Sequence, residues 1–181
     1  VTPYYNKCTQ EGLYQYYKAI SDAVNIPIIM YNIPGRTGTT IQPETAVRIA
    51  KEVKNVVAIK EASGNISAVA KLAALADGCI DIYSGNDDQV LPILSLGGKG
   101  VISVWSHVAP KKVHDMVYAY LNGDTATATK LQLEAIDVIG ALFCEVNPIP
   151  VKAAMNMLGY KAGPVRAPLT ELSDAHKELL E

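Results

Sequence analysis

Along the first hundred residues the spacing of apolar positions alternates between two periods. Leu13, Tyr16, Tyr17, Ile20 and Val24 recur at helical spacing, which predicts a helix over residues 10–24. Ile26-Pro27-Ile28-Ile29-Met30-Tyr31 is a short apolar run of strand length, and Asn32-Ile33-Pro34-Gly35-Arg36-Thr37-Gly38 is rich in turn formers. Pro43 and Glu44 suit the first turn of a helix ending near Val53. Val56-Val57-Ala58-Ile59-Lys60 is the next strand, and Ser63-Gly64-Asn65 leads into a helix rich in Ala and Leu. Ile80-Asp81-Ile82-Tyr83 is a third strand, followed by a turn and helix cap at Gly85-Asn86-Asp87-Asp88. A helix over residues 90–96 ends at Gly97-Gly98, and Gly100-Val101-Ile102-Ser103-Val104 is the fourth strand. Beyond it the pattern is helical over roughly residues 110–121, 124–142, 147–158 and 170–180.

Strands alternating with helices predict an α/β fold with a parallel sheet, and apolar runs suit strands covered on both faces. An open doubly wound sheet and a segment of a (β/α)8 barrel both fit. No GxGxxG opens a helix and no GxxxxGK[ST] occurs, which counts against nucleotide-binding open sheets. Residues 1–121 read as the sheet-bearing part and 122–181 as a helical extension. Val1-Thr2-Pro3-Tyr4-Tyr5 reads like the end of a strand whose start is missing, so a preceding segment is expected.

Composition narrows the functional classes. The 181 residues are 49% hydrophobic and 19% charged, with net charge −2, a globular composition without the basic footprint of a nucleic-acid binder. Cys8, Cys79 and Cys144 form no CxxC pair and no cluster with zinc spacing, so three reduced thiols in a cytoplasmic protein are expected. No apolar stretch reaches the roughly 18 residues of a membrane span, and the first residues do not lead one to expect a signal peptide. Asn65-Ile66-Ser67 fits a glycosylation sequon but reads better as a helix start.

In parallel α/β proteins chemistry gathers at the C-terminal ends of the strands, here Tyr5, Tyr31, Lys60, Ser84 with Gly85, and Ser103. Lys60 closes a buried strand, with its stem in the core and its amine at the tip. Such an amine sheds part of its hydration, which favours the neutral nucleophile. From position alone, a snorkelling lysine paired with Glu61 is the simpler reading. Tyr31 closes the preceding strand, and a phenol there can pass a proton to a carbonyl or carbinolamine; an ordinary rim tyrosine explains it as well. Arg36 lies in a loop stiffened by Pro34 and loosened by Gly35 and Gly38, and can grip a carboxylate with two parallel hydrogen bonds or simply be solvated. The amides of Gly85-Asn86-Asp87-Asp88 can bind an anion or form a turn. Asp and Glu are too few there for a magnesium cage. His107, His114 and His176 are scattered, and Lys152 falls in a late helix rather than at a strand tip.

Taken together, Val1-Thr2-Pro3-Tyr4-Tyr5-Asn6-Lys7, Tyr31-Asn32-Ile33-Pro34-Gly35-Arg36-Thr37-Gly38 and Ile59-Lys60-Glu61-Ala62-Ser63-Gly64 closely resemble the dihydrodipicolinate synthase family. Ser84-Gly85-Asn86-Asp87, Gly100-Val101-Ile102-Ser103 and Asn147-Pro148-Ile149-Pro150-Val151-Lys152 match it in the same order. The resemblance implies the second half of a (β/α)8 TIM barrel, followed by a helical extension. It implies that Lys60 forms a Schiff base with pyruvate and that Tyr31 relays protons beside it. Tyr5 would be contributed to that relay across a subunit boundary. Arg36 would hold the carboxylate of L-aspartate 4-semialdehyde, and Gly85 and Ile102 would line the pyruvate pocket with backbone. Tyr4 would lie near a site of feedback inhibition by L-lysine. No metal or organic cofactor is implied, and a homo-oligomer is.

N-acetylneuraminate lyase shares the lysine and the tyrosine; Arg36 within Pro-Gly-Arg-Thr-Gly favours the synthase. A non-catalytic remnant that only oligomerises is a second alternative, because the resemblance begins at the end of the family's fourth barrel strand. An open-sheet binding protein is the third, and strand order separates it from a barrel arc.

Overall fold

A computed structural model describes residues 1–181, in two compact units, Val1–Ile102 and Ser103–Glu181. The first unit is a four-stranded sheet with strands β1 (Ile28–Asn32), β2 (Val56–Glu61), β3 (Asp81–Ser84) and β4 (Gly100–Val101). All neighbours are parallel and the order is β1-β2-β3-β4, with no reversal. Consecutive parallel strands of this kind form an arc of a TIM barrel, whereas a doubly wound sheet reverses its order at a switch point.

Helices α1 (Gln10–Ala23), α3 (Pro43–Glu52), α4 (Ile66–Ala76) and α5 (Val90–Ser95) supply one side of the core. The first three start where their sequence provides for the orphan amides of the first turn. Thr9 accepts from the Gly12 amide at 3.1 Å, Pro43 occupies the first turn of α3, and Asn65 accepts from the Ala68 amide at 3.0 Å. Asn65 is thus a helix cap, as its position predicts. Leu13 and Tyr17 of α1, Ile49 of α3 and Val69 and Leu72 of α4 bury against Met30, Ile59 and Ile82 of the sheet. Because side chains alternate along a strand, these three strand residues define the helix-covered face.

Two sequence expectations are corrected here. The loop after β1 contains a short helix, α2 (Pro34–Thr37), closed by Gly38 at φ +66°, a conformation that favours glycine. The fourth strand is shorter than residues 100–104. Its last ladder bond runs from the Ile102 amide to the Ser84 carbonyl at 2.9 Å. β3 ends at Ser84, so later residues have no partner strand.

In the second unit Ser103 begins a 3-10 turn, with the Ser106 amide donating to the Ser103 hydroxyl at 2.8 Å. This unit holds α6 (Pro110–Leu121), α7 (Thr125–Glu134), α8 (Ile136–Leu142), α9 (Ile149–Met157) and α10 (Asp174–Leu180). The predicted helix over residues 124–142 is two helices. At Ala135 the ladder tightens, its amide reaching back only to Gln132 at 3.2 Å. Trp105, Met116, Ala128 and Leu142 are among its buried residues.

The start of α10 is tied down by Glu145. One of its carboxylate oxygens meets His176 Nδ1 at 2.7 Å and accepts from the Ser173 amide at 3.1 Å. The His176 contact first, then Ser173, holds the carboxyl at about 2, below its ordinary 4.5. A depressed carboxyl stabilises the fold above 4.5, and that contribution is lost as pH falls through 2. Amide protection factors along α10 are therefore expected to drop between pH 5 and pH 2, relative to α6. Glu145→Gln should show the same loosening already at pH 5. Equal α10 protection at both pH values would mean that this carboxylate does not pin the helix.

Candidate active site

The strand register builds the site. Ile28 pairs with Val56 but Ile29 pairs with Ala58, so Val57 is an extra residue in β2. A slip of one residue turns side chains to the other face of a sheet. The bulge therefore sets Tyr31 opposite Lys60, where an unbroken ladder would set it opposite Ile59. From there the row continues across the sheet through Tyr83 and Gly100. Tyr31, Lys60 and Tyr83 thus share the face turned away from the helices, at the C-terminal ends of their strands. Ile29 and Val57 stay 45% and 46% exposed.

Lys60 Nζ lies 4.2 Å from the centroid of the Tyr31 ring, a cation–π distance for the charged amine. The phenol edge and the amine are thereby held on one patch. Lys60 takes part in none of the ion pairs. The expected alternative, a lysine paired with Glu61, is corrected. Successive strand residues point to opposite faces, and Glu61 is buried on the helix side. There it accepts from Asn32 Nδ2 at 2.8 Å and from the Ser63 amide at 2.7 Å.

Gly85 stands directly beside the lysine stem. A Cβ built there would lie 2.7 Å from Ala62 Cβ, 3.0 Å from Lys60 Cε and 3.1 Å from Lys60 Cγ. Any side chain at residue 85 competes with Lys60 for the same space. The Gly85 amide, read from sequence as a candidate anion donor, is already bonded to the Glu61 carbonyl at 2.7 Å. Ile102 is partly exposed and joins the site's edge through its amide on Ser84.

Arg36 sits on α2, five residues after Tyr31, with its side chain exposed. Tyr4 and Tyr5 precede α1, in a turn closed by the Lys7 amide on the Tyr4 carbonyl at 2.6 Å. Tyr5 is 88% exposed. Residues 1–6 and Tyr16 line a shallow cavity of about 380 Å³. Neither tyrosine stacks on the Tyr31–Lys60 pair or hydrogen-bonds to it. The structure thus brings together Tyr31, Lys60 and Gly85, with Ile102 at the next strand, and leaves Tyr4 and Tyr5 at the surface.

Two tip residues prove to be turn caps. The Ser84 hydroxyl donates to the Asn86 carbonyl at 2.7 Å, and Ser103 caps its own turn. Tyr83 was not singled out from sequence although it flanks Lys60 on the far side. Its only sequence signal is parity, with Ile80 and Ile82 claiming the core face, and that signal also fits a plain amphipathic strand. Lys152 donates to the Pro164 carbonyl at 2.6 Å on a helix of the second unit. No three of the His, Cys, Asp and Glu side chains gather into a metal-holding group, and no helix is long and apolar enough to cross a membrane.

Residues 1–181 match the profile of the dihydrodipicolinate synthetase family. The chain is 56% identical to the 4-hydroxy-tetrahydrodipicolinate synthase of Caldicellulosiruptor bescii, over all of this chain and 61% of that protein. The crystal structure of the Thermotoga maritima dihydrodipicolinate synthase superposes with a TM-score of 0.95 at 45% identity, covering 99% of this chain and 62% of that one. The Cyanidioschyzon merolae enzyme, solved with lysine bound, superposes with a TM-score of 0.95 at 40% identity, over 99% of this chain and 61% of that one. The chain spans about three-fifths of the length of the relatives it matches.

Proposed function

This chain belongs to the dihydrodipicolinate synthetase family, and from that premise we propose that it carries the Schiff-base segment of a pyruvate-dependent lyase of the 4-hydroxy-tetrahydrodipicolinate synthase type. The observation that carries the reading is the Lys60 amine, set 4.2 Å from the Tyr31 ring at the tip of β2 without a carboxylate partner. Gly85 leaves room for its stem.

The chemistry follows from the amine. Neutral Lys60 Nζ adds to the ketone carbon of pyruvate, and the carbinolamine loses water to give an iminium. The iminium withdraws electrons, so a methyl proton leaves and an enamine forms. The enamine carbon bonds to the aldehyde carbon of L-aspartate 4-semialdehyde, whose oxygen takes up a proton and becomes a hydroxyl. The amine of that substrate then adds to the iminium carbon, closing a six-membered ring and expelling Lys60. Tyr31 passes protons at the carbinolamine and aldehyde stages, Tyr5 extends the relay from a neighbouring subunit, and Arg36 holds the semialdehyde carboxylate. Gly85 and Ile102 border the pyruvate with backbone.

In this reading residues 1–121 are the second half of the barrel and 122–181 the helical extension. The protein acts as a homo-oligomer, and L-lysine binds near Tyr4. A relative solved with lysine bound supports the binding of lysine. Pyruvate followed by borohydride tests the core of the reading. One reduced pyruvyl group is expected per chain by intact mass, on the peptide containing Lys60. No adduct on folded protein, or an adduct on another lysine, would overturn it.

A further inference from the structure

Glu61 is a buried carboxylate that the proposed chemistry does not use. It is 5% exposed and Asn32, beside it on β1, is 2% exposed. A carboxylate in such a place is costly unless its oxygens are hydrogen-bonded. Here both are: Oε2 accepts from Asn32 Nδ2 at 2.8 Å and Oε1 from the Ser63 amide at 2.7 Å. Asn32 in turn accepts at Oδ1 from the Ile41 amide at 3.0 Å. The Asn32 carbonyl takes the Ala62 amide at 2.9 Å, so backbone and side chains brace the same two strand ends.

The position of this network gives it a consequence for the site. Asn32 directly follows Tyr31, and Glu61 directly follows Lys60. Neighbouring strand residues point to opposite faces, so rotation of either strand end about its axis moves both members of each pair. The Ile41 amide ends the loop that begins after Asn32 and includes Arg36. The Ser63 amide fixes the turn after β2. One buried network thus fastens the two strand tips and both loops that leave them.

We infer that Asn32 and Glu61 are positioning residues that aim Tyr31 and Lys60 at one another and set the base of the Arg36 loop, an inference that rests on the proposed role of Lys60. Their polarity is specific. Both groups facing Glu61 are N–H donors, so residue 61 must offer two acceptors. Glu61→Gln offers one acceptor and turns an NH2 group toward a donor. Asn32→Asp sets a second carboxylate against the first. In N32D/E61Q the direction reverses: the new amide donates to the new carboxylate. The carboxylate still accepts from Ile41, and the amide oxygen still accepts from Ser63.

The test measures how fast borohydride-trapped pyruvyl adduct forms on Lys60. E61Q and N32D are each expected to be slower by about 10-fold or more, as for a misaimed catalytic group, and N32D/E61Q to return close to the parental rate. Val69→Ala, which trims the core within α4, should keep the parental rate and so separates aim from general stability. A folded E61Q reacting at the parental rate would overturn the inference, as would N32D/E61Q reacting no faster than either single variant. If the single variants do not fold, N32D/E61Q decides alone, by folding and reacting or by failing to. If the parental protein forms no adduct, the functional reading fails separately. The network is then judged by acylation of Lys60 with acetic anhydride and by amide exchange at Ile41 and Ser63. Both should change in the single variants and revert in N32D/E61Q, and a flat pattern would overturn the inference.

Discussion

Lys60→Arg is expected to remove the pyruvyl adduct completely while leaving the fold intact. An arginine keeps a positive charge over the Tyr31 ring, 4.2 Å from the present amine, so the packing of the row survives. It cannot serve as the nucleophile. A guanidinium holds its proton far above pH 8, so almost none of it is neutral there. Its delocalised nitrogens also lose their resonance on bonding to a carbonyl carbon. Intact mass after pyruvate and borohydride should show the unmodified chain, with an unchanged circular dichroism spectrum. A surviving single adduct would move the nucleophile to another lysine and withdraw the assignment of this strand tip.

Gly85→Ala is the second large effect, and its cause is purely steric. The new methyl would meet Ala62 Cβ at 2.7 Å and the lysine stem at 3.0 and 3.1 Å. Ala62 is held by its backbone bond to Asn32, so the lysine yields. Overpacking of this kind costs about 1–3 kcal/mol, readable in urea unfolding. A displaced nucleophile should form adduct on the order of 10²-fold more slowly. G85A/A62G removes the methyl-to-methyl clash but not the contact with the stem. It should recover stability and remain slow. Recovery of both together would show that Ala62 alone sets the limit and that Gly85 does not make room for Lys60.

The candidate site was legible to differing depths. Apolar runs mark Lys60 and Tyr31 as strand tips, but position alone leaves them ordinary rim residues, and only the family resemblance gives them roles. The Gly85 sequence context suggests an anion-binding amide, yet that amide bonds to Glu61, and the residue matters because Lys60 and Ala62 crowd it. Ser84 looked like a tip residue and is a turn cap. Tyr83 closes a strand as Tyr31 does, but no motif around it sets it apart from a plain amphipathic strand. The Lys60–Glu61 pairing, natural for neighbours in sequence, fails because adjacent strand residues face opposite ways.

Local preferences settle the periods: which segments are strands, which are helices, where Pro43 and Asn65 start two of them, and which residues close each strand. These follow from interactions within a few residues of one another, and the side chains carry that information directly. Three features come from the folded sheet instead: the row Tyr31, Lys60, Tyr83, Gly100, the reach of Glu61 to Asn32, and the early end of the fourth strand. Each depends on register between strands some 20–30 residues apart. That register is set by the extra residue at Val57 and by helices packing on the far face of the sheet. Shifting the pairing by one residue leaves every local preference satisfied and separates Tyr31 from Lys60, which is why no reading of a single strand could foresee it.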